Sequence, residues 1–160
     1  MRNHIRICLS LLLTVLLIAC VLAVPVLATE QGGSEALCSV RYYADGSRDE
    51  TEIILLPSAK VLHTVTAQKS TSHYTSSNEL VWKVTLTGSF SYNGSSSSCT
   101  AASTTTNFYQ SGWFVYSENT THSGNTASTV VILKKTVLGV PITFSNVTLN
   151  LSCDKNGNLS

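Results

Sequence analysis

Leu80, Trp82, Val84, Leu86, Phe90 and Tyr92 occupy even positions, and the odd positions between them hold Val81, Lys83, Thr85, Thr87, Ser89 and Ser91. A period of two is the mark of a strand with one buried face. The run ends at Asn93-Gly94, a strong hairpin signal because both central residues of a type I′ turn need positive φ. A Ser/Thr-rich return strand, Ser95 to Thr106, follows. A two-residue turn predicts the register: Tyr92 faces Ser95, Phe90 faces Ser97, Gly88 faces Cys99, Leu86 faces Ala101, Val84 faces Ser103 and Trp82 faces Thr105. In that register Gly88, with no side chain, leaves room beside the Cys99 sulfur for a partner from another strand. The Thr85 face is expected to be the solvent side.

The first 28 residues read as a targeting segment: Arg2, His4 and Arg6 precede an almost unbroken apolar run from Ile7 to Val24, and Pro25 leads into Val26-Leu27-Ala28, a small-residue cleavage pattern. Residues 29–160 then form a single exported domain, long enough for one core. Two alternatives are an uncleaved membrane anchor and a lipid at Cys20, which ends Leu17-Ile18-Ala19-Cys20. Of ten Lys/Arg, Arg2 and Arg6 lie in the leader, which leaves eight against nine Asp/Glu and a net charge of −1. No basic cluster stands out, which argues against nucleic acid as a partner. Secretion is the expected localisation, since no sortase motif or wall-binding repeat is evident.

Cys8 and Cys20 leave with the leader, so Cys38, Cys99 and Cys153 remain. Export favours a disulfide, and an odd count leaves one thiol free, paired between chains as a dimer through Cys38, or bonded elsewhere. Cys153 shares parity with Val147, Leu149 and Leu151. Cys99–Cys153 is therefore the preferred bridge, closing about 55 residues and stabilising by about 3 to 4 kcal/mol. Buried reduced thiols are the alternative.

Further strands are expected at Leu37–Tyr43, Thr51–Leu56, around Val61, His63 and Val65, at Trp113–Tyr116, at Thr126–Thr136 and at Val140–Cys153, the last with a bulge near Ser145-Asn146. Asp45-Gly46, Ser123-Gly124-Asn125 and Leu138-Gly139 mark turns, and polar Gln68–Asn78 reads as a loop. No segment after the leader has helical periodicity. Six to eight short strands define an all-β chain, an antiparallel sandwich of immunoglobulin-like or small barrel-like form, with one disulfide.

The pieces Thr87 to Gly94, Ser98-Cys99-Thr100, Trp113, Ser123 to Ala127, Leu138 to Pro141, and Thr148 to Gly157 with Cys153 resemble a group of small exported proteins of Gram-positive bacteria with no established function. The resemblance covers Leu86 to Ser160. It implies bacterial export and a Cys99–Cys153 pair, carries no catalytic or binding residue, and leaves Cys38 outside.

No Gly-x-Ser-x-Gly elbow, His-Glu-x-x-His, phosphate loop or Cys-x-x-Cys occurs. His63, His73 and His122 read as solvent-facing, and no cofactor or metal is expected. Asp45 to Glu52 and Asp154 to Asn158 are acidic patches short of a calcium ligand set, better read as turns closed by Asp and Asn. Trp113, Tyr116 and Tyr109 are the candidate ligand-facing aromatics, while Trp82 lies on the core parity. The reading is a non-enzymatic exported β-sandwich that binds an extracellular protein or glycan, with the membrane met only through the leader or a lipid on Cys20. Alternatives are a membrane-active, pore-forming or toxin-like β-hairpin protein and a secreted hydrolase with a dispersed site.

Overall fold

In the computed structural model of the chain, residues 37–56 and 63–160 are described, Leu37 and Cys38 by their backbone alone. The expectations for residues 1–28, for Cys20 and for the Cys38 thiol lie outside the described residues. Eight strands succeed one another: β1 (Leu37–Tyr42), β2 (Arg48–Leu56), β3 (Thr64–Tyr74), β4 (Leu80–Tyr92), β5 (Ser97–Phe108), β6 (Trp113–Ser123), β7 (Thr126–Val137) and β8 (Val140–Ser152). They form two antiparallel sheets, β1-β2-β3-β4-β5 and β6-β7-β8. Every neighbouring pair is consecutive in sequence, so neither sheet has the Greek-key crossover of an immunoglobulin-like fold.

The alternation of Leu80–Tyr92 places β4 at the centre of the structure. Trp82, Val84, Leu86 and Phe90 are all buried, and they meet Ala127, Val131, Leu133, Val147, Leu149 and Leu151 of the smaller sheet in one core. A hydroxyl chain also runs between the sheets, from Thr104 to Thr120 (2.7 Å) and from Thr120 to buried Thr129 (3.1 Å). The opposite face of β4 is not a plain solvent face. Thr85 is buried and hydrogen-bonded to Ser70 at 3.0 Å, while Thr87 and Ser89 pair with Gln68 and Thr66. The same ladder explains why β3 continues through Gln68 to Tyr74 where polarity predicts a loop: short hydroxyl side chains satisfy one another across neighbouring strands.

The β4–β5 register differs from the expected one. Tyr92 faces Ser97, Phe90 faces Cys99, and a shift beyond that pair brings Ser89 opposite Ala101 and Gly88 opposite Ala102, leaving Thr100 as the extra residue of a bulge. The cause is a wider turn. The Asn93 side chain accepts from the Ser95 and Ser96 amides at 3.0 and 2.8 Å, closing a four-residue loop in place of a two-residue one. Gly88 therefore serves Phe90 and not the sulfur: a Cβ there would sit 2.8 Å from the Phe90 ring and 3.2 Å from the Ala127 Cβ. Gly88→Ala should cost about 1–3 kcal/mol through overpacking, read as a lower denaturant midpoint at unchanged slope. An unchanged midpoint would mean that the ring does not fill that space.

In the smaller sheet the bulge falls at Ile142, between Lys135↔Thr143 and Thr136↔Pro141, not at Ser145-Asn146. Pro141 has no N–H for the ladder, so the pairing breaks beside it. Tyr116 is the extra residue of a second bulge, in β6. Cys99 and Cys153 are buried free thiols in this structure rather than a disulfide. Each contacts a carbonyl, Cys99 Sγ to Ala101 O at 3.3 Å and Cys153 Sγ to Asp154 O at 3.4 Å.

Candidate functional site

The smaller sheet packs over β3, β4 and β5, which leaves the β1–β2 end of the larger sheet extending beyond it. Directly paired residues of an antiparallel sheet share a face, and one such row crosses four strands: Arg41, Asp49, His73 and Trp82. Ser39, Thr51 and Thr71 form the next row. These residues floor a groove whose wall is the β8 segment from Thr143 to Thr148. It comprises two adjoining cavities of about 400 and 410 Å³, with Tyr43, Asp49 and Asn146 lining both. Among the described residues β8 pairs with β7 alone, so the strand edge facing the groove carries free backbone donors and acceptors.

Asp49 organises the floor. Its carboxylate accepts from the Tyr43 hydroxyl at 2.5 Å and from His73 Nδ1 at 2.7 Å. The His73 ring stacks on Trp82 with centroids 5.1 Å apart and planes 12° apart, and Arg41 lies over Tyr43 at 5.2 Å. Burial first, then the bond to Asp49, pushes the Tyr43 phenol above its ordinary 10.0, which keeps it a neutral donor. Trp82 and Trp113 meet edge to face at 6.5 Å and line the same cavity. Both indole N–H groups are buried without a hydrogen-bond partner in the protein, although buried Trp donors ordinarily find one.

The three aromatics singled out from sequence do not come together. Trp113 is buried at 8% exposure, beside Trp82. Tyr116 is exposed on the smaller sheet against Phe144, at 5.6 Å. Tyr109 is exposed at a separate cavity of about 190 Å³ with Glu50, Glu52 and Lys83. Among the histidines, His63 packs against Tyr92, His122 is exposed, and His73 meets a carboxylate. Arg41, Tyr43, Asp49 and His73 are the residues that sequence reasoning missed. The available signal was polar residues continuing a core parity: Asp49 and Thr51 lead into buried Ile53, and Thr71 and His73 follow buried Ala67.

The acidic patches are internally satisfied. Asp45 accepts from the Ser47 amide and hydroxyl, Glu50 pairs with Arg48 and Glu52 with Lys83, both at 2.7 Å. Among the described residues no group of three His, Cys, Asp or Glu could hold a metal ion. Asp154 closes its own turn, accepting from the Asn156 and Asn158 amides and from Asn158 Nδ2. The Asn158 side chain, then its amide, holds the Asp154 carboxyl below its ordinary 3.8. A depressed carboxyl stabilises the turn above 3.8, and that contribution is lost as pH falls through the lower folded value. The amide shifts of Asn156 and Asn158 should therefore titrate with a midpoint under 3.8. A midpoint at or above it would contradict these bonds.

Comparison with protein-family models, curated proteins and solved structures finds no match for this chain.

Proposed function

We propose that the chain is a secreted, non-enzymatic β-sandwich whose groove binds an extracellular protein ligand as an extended peptide. Support comes first from the polar floor of the groove, where the Tyr43 hydroxyl and His73 Nδ1 converge on the Asp49 carboxylate and Arg41 lines the same groove. The second support is the β8 edge, where six residues from Thr143 to Thr148 give about 20 Å of strand at 3.3 Å per residue. An added strand takes main-chain hydrogen bonds from that edge and places alternate side chains over Asp49, Tyr43 and Arg41. A glycan fits less well, because sugar binding uses exposed ring faces and the Trp82 face is covered by His73. The disulfide belongs to the same reading. The Cys99 and Cys153 amides donate to the adjacent carbonyls Gly124 and Asn125, so one turn draws β5 and the end of β8 together, and an oxidising exterior favours the bridge.

Selection of displayed random octapeptides against the protein tests the proposal. Selected peptides should lose binding when alternate amides are N-methylated, and Arg41→Ala should weaken them about tenfold, the effect of one lost hydrogen bond. Selection of no peptide, or peptides indifferent to N-methylation, would contradict it. The hydrolase reading draws on the Asp49–His73 pair, which is two parts of a nucleophile-activating arrangement. Turnover of ester or peptide substrates that His73→Ala abolishes would favour it. Against a pore-forming role for the β4–β5 hairpin, β4 carries the largest buried side chains of the core, Trp82, Phe90 and Leu86, so its release would dismantle the fold.

A further inference from the structure

The β7–β8 hairpin ends in residues that neither the core nor the turn requires. Leu138 and Gly139 both have positive φ, 50° and 80°, the pattern of a type I′ turn that favours Asn or Gly at its first position. Leucine is poorly suited there, and this one is 99% exposed. Val137, Val140 and Ile142 beside it are at least half exposed. A local choice that harms both turn chemistry and solubility points to a role outside the fold.

What lies behind the tip indicates its partner. Phe114, Lys134 and Phe144 form one cross-strand row, and Tyr116 packs on Phe144 while the Lys134 ammonium sits 5.3 Å above the Tyr116 ring. Phe114, Tyr116 and Phe144 are all exposed. Lys135, one residue nearer the tip, adds a second cation with its ammonium 5.8 Å over the Trp113 ring, and no carboxylate occurs from Lys134 to Phe144 or from Ser111 to Ser117. Behind the aliphatic tip come Lys135 and then the row in which Lys134 stands between Phe114 and Phe144, so cations and aromatic rings share one level of the hairpin. From Leu138 to Lys134 is about 13 Å at 3.3 Å per residue, which matches an apolar element buried about 5–10 Å with cations at the headgroups.

We propose that the β7–β8 turn is a membrane-docking tip that seats in the surface of an anionic bilayer. Leu138, Val140 and Ile142 enter the acyl boundary, the three aromatic rings occupy the interface, and Lys134 and Lys135 meet lipid phosphates. A convex apolar tip backed by two cations complements a negatively charged lipid surface better than a second copy of the same cationic hairpin. The proposal shares Phe144 with the wall of the groove, while its tip, Leu138 to Ile142, lies outside the groove lining.

The test uses the full chain with one added tryptophan, Leu138→Trp, mixed with vesicles of phosphatidylcholine and phosphatidylglycerol containing brominated acyl chains. Thr121→Trp, exposed near the opposite end of the same sheet, is the control, and the native Trp82 and Trp113 are buried. Emission from position 138 should shift to the blue and be quenched, and that from 121 should not. Lys134→Gln and Lys135→Gln should each weaken the quenching titration about fivefold. No quenching at 138, equal quenching at both positions, or equal quenching in phosphatidylcholine alone would overturn the proposal. So would a concentration-dependent dimer abolished by Leu138→Asp without vesicle binding, which would assign the tip to a second copy.

Discussion

Phe90→Ala is expected to cost about 3–5 kcal/mol, because it removes a fully buried ring and leaves a cavity that the surrounding sheets close only in part. The ring lies over Gly88 and is 1% exposed, and Cys99 is its direct partner on β5. A domain of this kind has about 5–15 kcal/mol in total, so the variant should approach the unfolding threshold at ambient temperature. Thr85→Ala, on the other face of the same strand, strands the Ser70 hydroxyl, which is 2% exposed, and should cost about 1–3 kcal/mol. That is more than a solvent-facing threonine would cost. Chemical denaturation of both variants checks the pair, and equal losses would mean that β4 is covered equally on its two sides.

Oxidation of Cys99 and Cys153 is the second large effect. A bridge between them closes about 55 residues, and loop-closure entropy then stabilises the chain by about 4 kcal/mol, less any strain in the folded state. Burial raises both thiols above their ordinary 9.0, and for Cys153 the neighbouring Asp154 and Cys99 add to it. The reduced pair is therefore a poor nucleophile, and oxidation should be slow in the folded state and fast during folding. Non-reducing peptide mapping of exported protein should recover a Cys99–Cys153 peptide, and reductant should lower the denaturant midpoint. Both thiols alkylated after unfolding without reductant would contradict the bridge.

How far the letters determine this fold depends on how local each determinant is. The β4 alternation and the Leu138-Gly139 turn were legible because period and positive φ are properties of a few adjacent residues. The β4–β5 register was not, because Asn93 closes a four-residue loop with its side chain and the Thr100 bulge has no sequence mark of its own. The strand character of Gln68–Tyr74 was hidden for another reason: its hydroxyls are satisfied by β4, 15 or more residues away. The groove is less local still. Asp49 and His73 are 24 residues apart, and they are exposed to a ligand because three strands cover five.

The groove between the β8 edge and the Asp49–His73 floor is the proposed docking place of a peptide. The chain has two tryptophans, and thus two indole N–H resonances, both from rings packed at the lining of that groove. A ¹H–¹⁵N titration with an octapeptide from the display selection should move both indole signals and slow amide exchange along Thr143–Thr148. Shifts confined to Tyr109 and its neighbours, or to Tyr116 and Phe114, with the indoles and Thr143–Thr148 unmoved, would contradict it.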